Sequence, residues 1–220
     1  PFEAEIVRET IIVSSVEVDF LDAKGAKAEA KDAEIAHLKL MRFGELTSEQ
    51  WDKAIEKVKG QRLKVKGLIL DVRGNPGGYL RGSVNLASEF LSKGVIVKQE
   101  NYKGEIETYS VSRRGRLLDI PLIVLIDKGS ASASEILAGA LQDHQRAKLV
   151  GTESFGKGTI QESEDISEGV ALHITTAKWL TPNGTWVNDG GLKPDYEVED
   201  DQETEDKDEQ LEKAIELLRS

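Results

Sequence analysis

Two short runs of consecutive apolar residues dominate the hydrophobic pattern of this 220-residue chain. They are Gly67-Leu-Ile-Leu-Asp-Val72 and Pro121-Leu-Ile-Val-Leu-Ile126. Nearly continuous apolar runs of this length are typical of strands that are buried on both faces of a parallel sheet. Each run is followed by turn residues and then by apolar positions at helical spacing, which predicts helices over residues 84–91 and 134–147. Strands that alternate with helices predict an α/β fold.

Further strands are predicted by alternation of apolar and polar positions, because the side chains of a half-buried strand point in turn to the core and to solvent. These strands are expected over residues 3–20, with a break near 8–10, and over residues 35–41, 95–97, 105–111, 148–150 and 169–179. Thr47 or Ser48 is expected to cap a helix. Residues 181–184 predict a turn, and residues 210–218 predict a short amphipathic helix.

The loop after the second buried strand carries the serine-rich run Ser130-Ala-Ser-Ala-Ser-Glu135. Further along, Phe155-Gly-Lys-Gly158 places Lys157 between two glycines. A serine hydroxyl becomes a strong nucleophile when a neighbouring base takes its proton, and a lysine can be that base when burial lowers the pKa of its amine from roughly 10.4. We expect Phe155 to contribute such burial. The pattern therefore indicates a serine nucleophile, a lysine base and hydrolysis of an acyl group.

Four short motifs, including the serine-rich run and the lysine segment, occur in order along the chain. They are Asp71-Val-Arg-Gly-Asn-Pro-Gly-Gly78, Gly129-Ser-Ala-Ser-Ala-Ser-Glu-Ile136, Gly139-Ala-Leu-Gln-Asp143 and Phe155-Gly-Lys-Gly158. Together they resemble the C-terminal processing peptidases, also called tail-specific proteases, which are Ser/Lys serine endopeptidases. The resemblance covers residues 6–194. It implies an α/β fold of the ClpP/crotonase type, a spiral of ββα units with flanking strands and a short C-terminal helix.

The resemblance also assigns roles to individual residues. Ser132, the middle serine of its run, corresponds to the nucleophile of the family, and Lys157 corresponds to its general base. Gln161 corresponds to the polar residue that supports the lysine. The substrates implied are proteins or peptides that are cleaved near their C-terminal tails.

An oxyanion hole is expected from backbone amides, as in the family. The amide of Ala133 and the amide of Gly78 correspond to its two donors, and Gly77 is the alternative to Gly78. Physical chemistry favours these positions, because a helix N-terminus and a glycine turn both expose N–H groups where negative charge develops in the reaction.

The resemblance divides the chain into three parts. Residues 1–20 are expected to hold the end of a PDZ-like strand and connecting strands, residues 21–196 the peptidase core, and residues 197–220 an acidic linker with a terminal helix. A PDZ domain is expected upstream in the full-length protein. The resemblance further implies an extracytoplasmic location, in a bacterial periplasm or cell envelope, and leaves a homo-oligomer open.

Other interpretations of the same residues remain open at this point. Ser132 and Glu135 fit a capping box, in which the serine only caps a helix. Three histidines, His37, His144 and His173, are competing bases, although His144 lies 12 residues after Ser132 on the predicted helix, about 18 Å away. His37 and His173 lie on predicted strands and are interpreted as packing or surface residues. The chain as a whole could also be a peptide-binding scaffold without activity, or a crotonase-like acyl-CoA enzyme.

Composition narrows the functional classes. The net charge is −11, and most of it comes from residues 197–209, which contain nine acidic residues and one lysine. This run is expected to be a solvated linker. The remainder has no basic stripe, so nucleic acid is not an expected partner. There is no cysteine and no histidine–carboxylate cluster with metal-ligand spacing, so we expect no metal and no cofactor.

Overall fold

The computed structural model describes residues 13–60, 65–167, 169–188, 190–199 and 207–219. The strands are β1 (Val16–Leu21), β2 (Ile35–Leu40), β3 (Gly67–Asp71), β4 (Val95–Asn101), β5 (Ile106–Ser110), β6 (Leu122–Ile126), β7 (Lys148–Gly151), β8 (Thr159–Ser167), β9 (Val170–Leu180) and β10 (Tyr196–Glu197). The helices are α1 (Thr47–Gly60), α2 (Leu80–Ala87), α3 (Ala133–Asp143) and α4 (Glu209–Arg219). Among these described helices, none is both long enough and apolar enough to cross a membrane.

The larger sheet has six strands in the order β1-β2-β3-β6-β7-β10. Strands β2, β3, β6, β7 and β10 run parallel to their neighbours, and β1 pairs with β2 antiparallel. The two apolar runs of the sequence form the central strands β3 and β6, and every residue in both is buried. The prediction of an α/β fold with parallel buried strands is confirmed.

Helices cover both faces of this sheet. Buried residues of α1, α2 and α3 form the main core with one face of β2, β3 and β6, around Trp51, Phe90 and Leu137. On the other face, Ala214 and Ile215 of α4 pack against the remaining strand residues. The apolar stripe of the terminal helix is thus a docking face, as amphipathic spacing predicts.

The smaller sheet has four antiparallel strands in the order β5-β4-β9-β8. Strands β8 and β9 form a long hairpin, of which residues 161–167 and 170–175 are exposed. Strand β8 is absent from the sequence-based expectations. Its exposed outer half contains mostly polar residues, so it lacks the apolar pattern by which a core strand is recognised.

Two ion-pair networks link distant parts of the chain. Glu89, which is fully buried, accepts hydrogen bonds from Arg113, Arg116 and the Trp51 indole. Burial alone would raise the pKa of Glu89, but the hydrogen bonds from Arg116 and Arg113 outweigh it and lower the pKa to about 2. The network therefore fixes the end of α2 to α1 and to the loop over residues 111–117.

The second network lies at the carboxyl end of β3. Asp71 accepts hydrogen bonds from His37 and Arg73, and Arg73 also donates to Asp208 just before α4. Burial raises the pKa of Asp71, and the hydrogen bonds from His37 and Arg73 reverse this and hold the pKa well below its usual range. This network fastens the terminal helix beside the loop that follows β3.

Several predicted boundaries are wrong. The helix expected over residues 84–91 begins earlier, at Leu80, and ends at Ala87. The helix expected to run toward residue 147 ends at Asp143, because Gln145 adopts a positive φ of 55°. Thr47 or Ser48 was expected to cap α1, but the helix begins at Thr47 and includes both residues. The first of the two strands expected over residues 3–20, which precedes the break near residues 8–10, and most of the acidic run lie outside the described residues.

Candidate active site

The candidate site is built on two loops that leave neighbouring parallel strands at the same edge of the sheet. Strand β3 leads into residues 72–79, and β6 leads into residues 127–132. Since β3 and β6 are directly paired, these loops must meet, which is where open α/β sheets commonly bind ligands. The Ser130 hydroxyl donates to the Val72 carbonyl at 2.8 Å, and the Ala131 N–H donates to the Asn75 carbonyl at 2.9 Å.

Ser132 occupies a strained position immediately before α3. Its φ of 54° and ψ of −113° lie in a region that residues with a side chain rarely adopt. The residue is half-buried and lines a cleft. A sharp turn of this kind, between a strand and a helix N-terminus, lifts a hydroxyl out of the surrounding backbone.

The glycine turn after β3 lies against the serine. A Cβ added at Gly77 would be 2.8 Å from the Ser132 Cβ and 3.0 Å from the Ala133 nitrogen, so the close approach requires glycine. The Gly77 N–H donates to the Asn75 side chain at 2.9 Å. In contrast, the N–H groups of Gly78 and Ala133 make no hydrogen bond to any described residue. Gly78 and Ala133, whose N–H groups have no acceptor among the described residues, therefore line the same cleft as Ser132.

Glu135 joins the serine loop to the lysine loop. Its side chain is fully buried and accepts four hydrogen bonds. One carboxylate oxygen accepts the Ser132 N–H at 2.7 Å and the Lys157 N–H at 3.0 Å. The other accepts the Ser154 hydroxyl at 2.6 Å and the Gly156 N–H at 2.7 Å. A single carboxylate oxygen thus holds the backbones of Ser132 and Lys157 next to each other.

Two tryptophans fix the lysine segment from its other side. The Trp179 indole donates to the Lys157 carbonyl at 2.8 Å, and the Trp186 indole donates to the Gly158 carbonyl at 2.9 Å. A Cβ at Gly158 would overlap Trp186, which explains the glycine after the lysine. The expectation that Phe155 buries the lysine is wrong, because Phe155 is 63% exposed and Trp179 is the buried aromatic at this point.

The cleft beside these residues has a volume of about 590 Å³. Ser132, Lys157 and Gln161 all line it, although Gln161 lies on β8 rather than on the lysine loop itself. Among the described residues, the Lys157 ammonium group has no hydrogen-bond or ion-pair partner. The cleft therefore brings a strained serine, an unpaired amine and the two free N–H groups to one place.

The three histidines are in different environments. His37 is buried and bonded to Asp71, and the His144 ring is 2.7 Å from the Val95 carbonyl at the far end of α3. His173, interpreted from the sequence as a packing or surface residue, is exposed on β9 and lines the same cleft as Ser132. The spacing of residues in the sequence did not indicate that His173 lies in this cleft, because only the pairing of β8 with β9 brings it there.

Sequence reasoning also missed the role of Glu135. The residue was visible only as the partner of Ser132 in a capping box, and it does accept the Ser132 N–H as that motif requires. Its three other donors come from residues 154–157, which are about 20 positions away in the chain. Contacts of this kind leave no periodic signal in a sequence.

Comparison with known proteins finds matches over most of the chain. The profile described as peptidase family S41 matches residues 34–198. The carboxy-terminal-processing protease of Bartonella bacilliformis is 40% identical over 202 residues, which are 90% of this chain and 44% of that protein. The carboxy-terminal processing protease CtpA of Bacillus subtilis is 34% identical over 185 residues, 84% of this chain and 39% of that protein.

Solved structures show the same architecture. The photosystem II D1 C-terminal processing protease superposes with a TM-score of 0.77 at 31% identity, over 97% of this chain and 54% of that one. A putative S41 protease from Bacteroides fragilis also has a TM-score of 0.77, at 15% identity, over 96% of this chain and 59% of that one, and supports the fold alone. The chain spans less than half the length of the two curated relatives.

Proposed function

Because this chain belongs to peptidase family S41, we propose that it carries the catalytic core of a serine endopeptidase that cleaves proteins near their C-termini. The relatives named above are carboxy-terminal processing proteases, which supports the substrate class. The observation that carries the proposal is the arrangement around Glu135. Its carboxylate holds the backbones of Ser132 and Lys157 side by side at the edge of a cleft large enough for a peptide.

In the first step, the Ser132 hydroxyl oxygen attacks the carbonyl carbon of the peptide bond. The Lys157 amine takes the hydroxyl proton as the new C–O bond forms, which is the task of a general base. The N–H groups of Ala133 and Gly78 donate to the oxygen that becomes negative. Each such donor is typically worth a factor of about 100 to 1000 in turnover.

In the second step, the Lys157 ammonium group returns the proton to the leaving amine, and the new C-terminal fragment departs. The acyl group remains on Ser132 until water, activated by the same lysine, attacks and restores the hydroxyl. Gln161 supports the lysine by orienting its amine through a neutral side chain. A carboxylate at this position would instead stabilise the protonated, inactive amine.

His173 is the competing base, because it lines the same cleft. The backbone of Lys157 is held against the serine loop, whereas His173 lies on the exposed part of the β8–β9 hairpin, opposite Ser163. A base must stay within hydrogen-bonding reach of the hydroxyl, so the firmly held residue is the better candidate. We therefore assign the base role to Lys157.

A fluorophosphonate probe and a peptide assay test the proposal. The wild-type chain is expected to be labelled and to cleave peptides, and Ser132→Ala is expected to lose both properties while it unfolds at nearly the same temperature. Ser48→Ala, which alters an exposed serine of α1, is the matched control and should behave like wild type. A wild-type chain that binds peptides without labelling or cleavage would instead identify a scaffold without activity.

The domain upstream of this core and the location of the full-length protein are also proposals. We propose an upstream PDZ domain that holds the substrate's tail, with residues 1–20 leading from it into the core, and assembly of the full-length protein is left open. An extracytoplasmic location is also proposed, and the absence of cysteine from the sequence is compatible with it. Comparing peptides with a free and with an amidated C-terminus, in proteins with and without the upstream segment, tests the PDZ prediction.

A further inference from the structure

The charges that line the cleft differ from those of the rest of the chain. The chain has a net charge of −11, with 40 acidic residues. Yet the described residues that line the cleft include Arg42, Lys157 and His173, and no aspartate or glutamate. A peptide bound in the cleft would therefore contact a basic surface, although the protein as a whole is acidic. The described basic residues that line the cleft are called the basic wall below.

Arg42 has a defined place on the basic wall. It precedes Phe43, whose N–H donates to the Gly77 carbonyl at 2.8 Å and whose carbonyl accepts the Tyr79 N–H at 3.1 Å. Phe43 is thereby paired with the glycine turn that carries the free Gly78 N–H. The backbone of Arg42 is consequently anchored beside the proposed oxyanion hole, even though its side chain is exposed.

The guanidinium group of Arg42 has no carboxylate partner among the described residues. Its Nε donates to the Ser15 hydroxyl at 3.4 Å, and one Nη donates to the Val13 carbonyl at 3.3 Å, which are long, neutral contacts. The arginines Arg113 and Arg116, by contrast, each donate to the buried carboxylate of Glu89. Within the part of the chain that the structure describes, no carboxylate therefore pairs with the charge of Arg42, a residue that lines the cleft.

We propose that Arg42 forms a subsite for a carboxylate of the bound substrate, an inference that rests on the proposed function. A guanidinium group has five N–H donors in a planar fork that matches the two oxygens of a carboxylate. The carboxylate is either an acidic side chain near the cleaved bond or the free C-terminal carboxylate of the tail. Arg42 is then a specificity-determining residue that acts before and during the reaction without taking part in proton transfer.

Matched peptides test this subsite. One set replaces a glutamate at each position around the cleaved bond by glutamine, and a second set compares a free with an amidated C-terminus. Wild type is expected to prefer the carboxylate form of one set by about two- to fivefold in kcat/KM at low salt, the range for an exposed ion pair. The set that shows the preference identifies the source of the carboxylate, and added salt should reduce the preference.

Variants show whether Arg42 causes the preference. Arg42→Gln is expected to abolish it, Arg42→Lys to retain part of it, and Arg114→Gln to leave it unchanged, since Arg114 is an exposed arginine that does not line the cleft. If Arg42→Gln slows all peptides equally and keeps the preference, Arg42 only holds residues 13–15 and the subsite does not exist. The subsite is also overturned if Arg42→Gln keeps full activity and the same preference for the carboxylate peptide.

Measuring the binding of the same matched peptides, instead of their cleavage, tests this inference separately from the proposed function. Fluorescence anisotropy with labelled peptides and the Ser132→Ala protein measures carboxylate preference without cleavage. If the wild-type chain cleaves nothing, the proposed function fails, but an Arg42-dependent preference in binding still supports the subsite. If cleavage occurs and neither assay shows an Arg42-dependent preference, the subsite alone is wrong.

Discussion

Replacing Glu135 by glutamine should uncouple the serine loop from the lysine loop while it keeps the shape of the side chain. The carboxylate accepts four hydrogen bonds, two on each oxygen. If its NH₂ group faces Ser132 and Lys157, both backbone N–H groups lose their acceptor. If it faces Ser154 and Gly156, only the Gly156 N–H loses its acceptor, because the Ser154 hydroxyl can turn and accept from the amide.

The cost follows from the burial of Glu135. A buried donor that is left without an acceptor costs about 1–3 kcal/mol, so one or two of them should lower the free energy of unfolding by about 1–6 kcal/mol, depending on the orientation of the amide. This is a large part of the 5–15 kcal/mol that is typical of folded proteins. Activity should fall further than stability explains, because a shift of about 1 Å between reacting groups can cost a factor of about 100.

Two measurements distinguish these effects. Urea unfolding gives the loss of stability, and peptide cleavage at a temperature where Glu135→Gln is still folded gives kcat and KM. We expect kcat to fall by about 100-fold with KM nearly unchanged, since the substrate-binding walls remain. Glu153→Gln is the matched control, because it makes the same change of charge at an exposed position in the same loop.

The outcome can contradict the reasoning in two ways. A folded Glu135→Gln protein with the wild-type kcat would show that the carboxylate does not position the two loops for catalysis. An equal fall in kcat for Glu153→Gln would show that the effect comes from charge near the cleft rather than from the hydrogen bonds of Glu135.

Three further predictions concern the base, the acid stability and the oxyanion turn. Lys157→Arg should be as inactive as Lys157→Ala in the peptide assay, because arginine keeps its proton, and an active arginine variant would exclude lysine as the base. The folded-state pKa of Glu89, about 2, lies below its reference value of 4.5, so its stabilisation, on the order of 3 kcal/mol, is complete above pH 4.5 and is lost as the pH falls toward 2. The free energy of unfolding, measured with urea between these pH values, should change more steeply with pH for wild type than for Glu89→Gln. Equal pH dependences in the two proteins would refute this. Gly78→Ala should unfold at lower urea and lose cleavage, because φ is 136° and the added Cβ would collide with the Phe43 carbonyl oxygen, and a fully active variant would remove Gly78 from the oxyanion hole.

The sequence by itself determined the central strands and the segments that carry the chemistry. Runs such as Leu122–Ile126 are so apolar that burial on both faces is their only stable environment, and local turn residues mark where each run ends. The motifs around Ser132 and Lys157 were equally visible, because each is a short run of consecutive residues in the chain. Such features depend on neighbours in the chain and can be predicted without a fold.

Only the tertiary structure decided which residues share the cleft. The three donors to Glu135 from residues 154–157, the arrival of His173 through the β8–β9 hairpin and the position of Arg42 beside the glycine turn all depend on contacts between distant segments. Each of these contacts joins individual residues that are far apart in the chain and that follow no repeated spacing. Periodicity along the sequence therefore cannot predict them.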